Sequence, residues 1–331
     1  MMDKNGQLTF FDDPLLQGIN EAYAHIEAGD FTQAVKKIDH LLTINPDYPG
    51  LAEAYRVARF WESRKKAIEE LHKGKETADF LMTQWDEFQG FAQSKGLVSA
   101  TAYQKAMRYV FFSASEHYTI AFNDRENPTD NLQLLMQLGT CFIRLGEYQH
   151  TIEALEYARS AYRSNACILS LLAESYYHTG DVPRALLYFR EAFLLNPSEI
   201  DIQLLSAKPI IEAVELVKQH KPDCTDVREW VPVMAHIHDI FYVKRQLNSS
   251  QLEAIKKDIV KLEASFQTLD KEKIAQSNVV PRLINRYLWM LDYFEFQQYD
   301  QKSLFDIRDR LIAIDKGLFE SYFQKKIFPK H

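Results

Sequence analysis

The chain has 331 residues, 46% of them hydrophobic, and a formal net charge of -7 at pH 7. That charge argues against a nucleic-acid binder that works through a broad basic face. Three widely spaced cysteines argue against a disulfide framework and against a cysteine metal cluster. With only 11 glycines and 11 prolines, the composition favours long helices joined by short turns, so we expect an all-α fold.

The apolar residues are not arranged as a membrane segment or a secretory signal. No stretch approaches the roughly 20 consecutive apolar residues that a membrane-spanning helix needs. The first residues also lack an apolar run long enough for a signal peptide. We therefore expect a cytoplasmic protein without membrane insertion.

Residues 1–49 are predicted to form a helical hairpin. Asp13-Pro14 is a favourable helix start, with a side chain that can cap the helix before a proline at its first position. Small and apolar residues then recur at the spacing expected for two packed helices with a turn between them: Ala22, Gly29, Ala34, Ile38 and Pro46.

Residues 50–128 predict three long helices without a repeat signature. The first spans about 51–71, the second about 77–93, and the third begins at Ser99. Breaks are indicated at Gly74 and Gly96. These helices either extend a row of hairpins or form an insertion, and the pattern fits both interpretations.

Residues 129–198 contain two copies of one pattern. Gly146 and Gly180 are 34 residues apart (180 − 146 = 34). Three further pairs keep the same phase: Gly139 and Ala173, Phe142 and Tyr176, and Ala158 and Ala192. The pattern resembles the tetratricopeptide repeat (TPR) family, whose unit is a helical hairpin of about 34 residues. The resemblance implies a short α-solenoid, although the N-terminal hairpin is out of phase, since 146 − 29 = 117 is not a multiple of 34.

The remaining 133 residues are predicted to cover and follow the repeats. Residues 199–248 are assigned to a capping helix and a linker, with Pro209 expected to kink or split the helix. Residues 249–331 predict a three-helix bundle, or alternatively more solenoid. One seam of this segment could also support a homo-oligomer: Leu252, Ile255, Ile259, Leu262, Phe266 and Leu269.

The TPR resemblance implies a concave groove that receives a peptide or an amphipathic helix of a partner protein. The groove positions of the family fall on Gln133, Met136, Gln137, Thr140, Ile143 and Arg144 in the first hairpin. In the second hairpin they fall on Ser170, Leu171, Glu174, Tyr177 and His178, with Cys167 before them. The TPR subclass that grips a carboxylate needs cations at fixed positions, and the corresponding residues here supply none: Ile19, Tyr23, Gln137, Cys167 and Leu171.

Catalytic and metal-binding patterns are missing from the sequence. There is no phosphate-binding glycine loop, no nucleophile elbow and no zinc-protease motif. His236 and Asp239 would share one helix face, but we interpret them as a surface pair and not as a metal site. We therefore expect a protein-binding scaffold or adaptor, with no enzymatic activity and no cofactor. The alternatives are a structural homo-oligomer built through the C-terminal helices, and a small-molecule binder or enzyme with a pocket between the 50–125 helices and the repeats.

Overall fold

The computed structural model describes residues 13–124, 128–162, 164–243, 246–269 and 277–327, and within these ranges the chain is helical and has no strand. The expected all-α class is thus confirmed for the described residues. The helices are α1 Pro14–Glu27, α2 Phe31–Ile44, α3 Leu51–Glu62, α4 Lys65–Glu70, α5 Lys75–Ser94, α6 Thr101–Asn123, α7 Pro128–Leu145, α8 Tyr148–Ala161, α9 Ala166–His178, α10 Val182–Leu195, α11 Lys208–His220, α12 Val227–Ile237, α13 Ser249–Gln267, α14 Val279–Tyr293, α15 Gln301–Ile314 and α16 Lys316–Ile327.

The chain divides into two compact units, unit 1 (Met1–Ala154) and unit 2 (Leu155–His331). The division falls inside α8. Each unit has its own hydrophobic core.

In unit 1, α6 is the central helix and packs on α1, α3, α5 and α7. α1 begins where Asp13 accepts a hydrogen bond from the Leu15 backbone N–H at 2.9 Å, as its position before Pro14 predicts. α1 and α2 pack as a hairpin around Gly29, whose φ is +75°. A Cβ at Gly29 would lie 2.1 Å from the Tyr109 ring, so glycine is required here both for its backbone angle and for space.

The single helix predicted over 51–71 is divided in the structure into α3 and α4. Arg64 at the break turns its side chain back onto α3, where Nη1 donates to the Phe60 carbonyl at 2.9 Å and the guanidinium lies 3.5 Å from the Phe60 ring centroid. Arg64 also donates hydrogen bonds to the side chains of Gln84 and Glu87 in α5. The bonds from Arg64 to α5 outweigh the local helical pattern. Sequence periodicity does not show such bonds between distant residues.

In unit 2, α9 and α10 pack closely as a hairpin, and α14 packs on α12, α13 and α15. Two short 3-10 turns, Pro197–Glu199 and Ile202–Leu204, precede α11. α11 starts with Pro209 in its first turn, so the proline, expected to kink or split the capping helix, marks the start of a helix and separates it from the turns before it. α9 to α16 contribute to one continuous core, in which the predicted C-terminal bundle takes part.

The C-terminal seams also differ in detail from the prediction. Leu252, Ile255, Ile259, Leu262 and Phe266 pack into the core of unit 2, so the seam proposed for self-association is engaged within the chain. A second predicted seam, in which Leu304, Ile307, Leu311, Ile314 and Leu318 recur at steps of three and four, is divided at Asp315. Asp315 separates α15 from α16 and accepts from the Leu318 N–H at 3.1 Å. Among the described residues, no helix has both the length and the apolar character needed to cross a bilayer.

Candidate functional site

The predicted groove residues of α7 are mostly accessible in unit 1. Gln133 is exposed, and Met136, Gln137, Thr140 and Arg144 are partly buried. Ile143 is the exception, because it is only 7% exposed. The α7 positions therefore form a mixed polar and apolar surface.

The C-terminal end of α7 forms one wall of a pocket of about 450 Å³, and α6 forms another. Arg144 and Ile143 belong to its lining, together with Met107, Leu145 and Tyr148. The Arg144 guanidinium lies 6.0 Å from the Phe111 ring centroid, at the outer limit of a cation–π contact. Arg144 makes no ion pair with the described residues.

The lining of this α6–α7 pocket is positively charged. It contains three cationic residues, Lys105, Arg108 and Arg144, and no acidic residue. Glu27 of α1 partly offsets this charge, because its carboxylate forms ion pairs with Lys105 Nζ at 2.6 Å and with Arg108 Nε at 2.8 Å. One carboxylate against three cations leaves an excess of positive charge beside apolar side chains.

The predicted groove residues of α9 lie in unit 2 and are largely covered by the protein itself. Ser170 is 1% exposed, Leu171 2% and Glu174 0%. The Glu174 carboxylate accepts from the Ser206 and Ala207 backbone N–H groups at 2.6 and 3.1 Å, and from the Ser206 hydroxyl at 2.7 Å. These donors lie at the start of α11. A carboxylate there accepts from backbone N–H groups that have no partner within the helix, and it is stabilised by the partial positive charge of the helix N-terminus.

His178 completes this arrangement. Its Nε2 lies 2.9 Å from both Glu174 Oε1 and the Ser206 hydroxyl. Tyr177 packs partly against the core of unit 2. A partner would have to displace the start of α11 to reach Glu174, and Ser170 and Leu171 are buried as well, so the surface open to a partner on α9 is narrower than the sequence predicts.

The predicted surface pair of His236 and Asp239 is not found, because the His236 side chain is only 9% exposed. His236 Nε2 lies 3.1 Å from the Tyr322 hydroxyl, and its Nδ1 lies 4.0 Å from Asp292 Oδ2. Asp292 is in turn bonded to Arg190, whose guanidinium lies 4.2 Å from the Trp289 ring centroid. Four helices, α10, α12, α14 and α16, contribute to this buried network.

A second buried ion pair joins α12 to α14. The Glu229 carboxylate, fully buried, accepts from Arg282 Nε at 2.9 Å and from Nη2 at 2.5 Å, and the Ser198 hydroxyl donates to it at 2.7 Å. The sequence offered no signal for either network, since the paired residues lie 53 and 102 positions apart. Within the described ranges no cluster of histidine, cysteine and acidic residues could hold a metal ion.

Comparison with known proteins gave no relative. No protein-family model matches the chain, and no curated protein or solved structure matches it either.

Proposed function

We propose that the protein is a TPR-like interaction module of the cytoplasm, and that it binds a short segment of a partner protein at the α6–α7 pocket of unit 1. The observation that carries this proposal is the excess of positive charge in a pocket that also has apolar walls. A segment with one or two acidic side chains beside apolar anchors matches that chemistry.

The TPR-like part of the proposal rests on the turns. Gly29, Gly146 and Gly180 each follow a helix and precede another, and their φ angles are +75°, +77° and +93°. After Gly146, the Glu147 N–H donates to the Phe142 carbonyl at 2.8 Å, a bond that closes the end of α7 and directs the chain into α8. Gly146 and Tyr148 of this turn line the pocket together with Arg144.

The charge of the whole chain narrows the class of partner. With a net charge of -7, the protein would repel a long acidic tail at a distance. An amphipathic peptide or helix with few acidic residues avoids that repulsion and still pairs with the local cations. The proposed partner segment is therefore short, mostly apolar and locally acidic.

A peptide library displayed on phage and selected on the full-length protein tests this. We expect the enriched peptides to combine apolar residues with at least one Asp or Glu. Their affinity, measured by fluorescence anisotropy, should fall about tenfold or more in Arg144→Glu, because an attractive contact becomes repulsive.

Arg56→Glu is the matched control, since Arg56 belongs to unit 1 and lies outside the pocket lining. It introduces the same change of charge and should leave the affinity within about twofold. Equal losses in both variants would show a general charge effect and would refute the assignment of the pocket, as would enriched peptides without acidic residues.

A further inference from the structure

Arg286 of α14 is a buried cation without full pairing. Its side chain is 8% exposed, and Nε and Nη1 have no hydrogen-bond acceptor among the described residues. Nη2 lies 3.5 Å from Asp258 Oδ2, longer than a normal charge-assisted hydrogen bond. The Asp258 side chain is itself 47% exposed, so water weakens this contact further.

Such a group is costly to retain in a folded protein. A buried guanidinium with unpaired donors loses hydration that nothing replaces, and buried donors of this kind usually have a partner. Burial accordingly lowers the pKa of Arg286 from its ordinary value, with Asp258 acting in the opposite direction. An anion that took the place of Asp258 at Nη2 would give this guanidinium a closer acceptor than the one it has.

Arg286 and Asp258 line a pocket of about 790 Å³ that lies entirely within unit 2. This volume is within the usual range for small-molecule sites. The remainder is divided between polar side chains, Ser160, Ser164, Asn248, Ser250 and Gln251, and apolar side chains from α9, α10, α14 and the segment before α13: Leu169, Leu194, Leu195, Leu247 and Trp289. The pocket thus combines one underpaired cation with several large apolar side chains in a mixed lining.

The charges of the pocket restrict the anion. Its lining contains two arginines, Arg159 and Arg286, and two acids, Glu191 and Asp258. Arg159 is already paired with Glu156 at 2.7 Å, so a multiply charged anion such as phosphate would face the acids with little compensation. A single carboxylate matches the planar guanidinium by two parallel hydrogen bonds and carries one charge.

We propose that this pocket binds a small monocarboxylate with an apolar body, its carboxylate at Arg286 and its body along the leucine and Trp289 wall. The half-exposed Asp258 turns towards solvent as the ligand carboxylate takes its place. This site is independent of the partner site proposed for unit 1.

Isothermal titration calorimetry on the full-length protein tests the proposal with three probes: decanoate, decanol and inorganic phosphate. Decanoate should bind, and decanol should bind about tenfold or more weakly because it lacks the charge-assisted hydrogen bonds. Phosphate should give no binding at the concentrations at which decanoate saturates the site.

Two variants locate the site. Arg286→Leu should abolish the preference for decanoate over decanol while leaving the Tm unchanged or higher, because it removes an underpaired buried charge. Asp258→Asn should strengthen decanoate binding several-fold, because the internal competitor loses its charge. Arg184→Leu, which changes an arginine of unit 2 that is 50% exposed and outside the pocket, should bind decanoate like the unchanged protein.

Each contrary result would overturn the proposal. Equal binding of decanoate and decanol would indicate apolar adsorption, and phosphate binding would indicate a general anion site. Absence of decanoate binding would refute the proposed site, and so would an unchanged preference for decanoate over decanol in Arg286→Leu. Should Arg286→Leu fail to fold, weaker or unchanged decanoate binding in Asp258→Asn would equally remove it.

Discussion

The two units bury different kinds of polar side chain. Among the described residues, those buried in unit 1 are uncharged: Thr77, Gln84, Ser115 and Thr151. Unit 2 buries five charged ones: Glu174, Arg190, Glu229, Arg286 and Asp292. The core of unit 1 is held by apolar and aromatic packing, with Trp61 in contact with Phe31, Phe60, Phe88 and Tyr109, and its ion pairs between helices are partly exposed. Unit 2 adds buried ion pairs between its helices.

This difference matters because the two kinds of core respond differently to change. An apolar core tolerates many apolar side chains of suitable volume, whereas losing one partner of a buried ion pair leaves the other charge uncompensated. We infer that the pairs of unit 2 fix which helices meet, since apolar stripes alone would permit α10, α12 and α14 to pack in other registers.

The largest effect is expected when the Arg190–Asp292 pair is broken. Asp292→Ala leaves Arg190 buried without its carboxylate, and the free energy of unfolding of unit 2 should fall by about 3–5 kcal/mol. Hydrogen exchange read by mass spectrometry follows α14 and α6 separately. Unit 1 peptides should keep their protection, and equal losses in both units would show that the effect of the pair is not confined to unit 2.

The control replaces both partners. Arg190→Met with Asp292→Leu removes the pair without leaving a charge, so unit 2 should recover to within about 1 kcal/mol of the unchanged protein. A double variant as unstable as Asp292→Ala would show that the pair contributes net stability and not only specificity.

A cavity in unit 1 should have the next largest effect. Leu81 is fully buried, so Leu81→Ala should lower the free energy of unfolding of unit 1 by about 2–4 kcal/mol. The exchange of α5 and α6 peptides should accelerate while that of α14 peptides does not. A cost below about 1 kcal/mol would mean that the core of unit 1 is loosely packed.

The smallest effect concerns alkaline pH. Burial raises the pKa of the Cys141 thiol from 9.0 to about 12, so above pH 9 the unfolded chain releases a proton that folded unit 1 retains. The thiol therefore contributes stability that is complete below about pH 9 and is lost progressively up to about pH 12. By pH 10 the loss should be about 1 kcal/mol.

Cys141→Ala removes this contribution, so the difference in free energy of unfolding between the unchanged protein and the variant should shrink by that amount from about pH 8 to about pH 10. A constant difference would contradict the burial of the thiol. Urea titration at each pH, read through exchange of α6 and α7 peptides, provides the measurement.

Local patterns predicted much of unit 1. The start at Pro14, the turn at Gly29 and the helices α5 and α6 follow from caps, glycines and periodicity, which act within a few residues. The division at Arg64 was not predicted, because it depends on side chains of α5 that lie 20 and 23 residues further along the chain. The same limit applies in unit 2 to His236, whose burial is set by α14 and α16.

The candidate site was predicted only in part. The positions of α7 are accessible and adjoin a pocket, but its other cations, Lys105 and Arg108, come from α6, where no repeat spacing indicated them. Glu174 had the spacing of a groove residue, yet its carboxylate is engaged by Ser206 and Ala207. Spacing identifies a helix face, and only the packed neighbours decide whether that face is open.

Glu174 also bears on how such a chain could grow by duplication. A copied segment 166–195 inserted after α10 would carry a second carboxylate into an interior position. That copy would lack the backbone N–H groups at 206 and 207 unless they were duplicated with it, and an uncompensated buried carboxylate is strongly destabilising. The smallest segment that could be duplicated without this cost is thus the α9–α10 hairpin together with the start of α11. The hairpin alone is therefore suited to the last place in a row of hairpins and could not exchange places with the others.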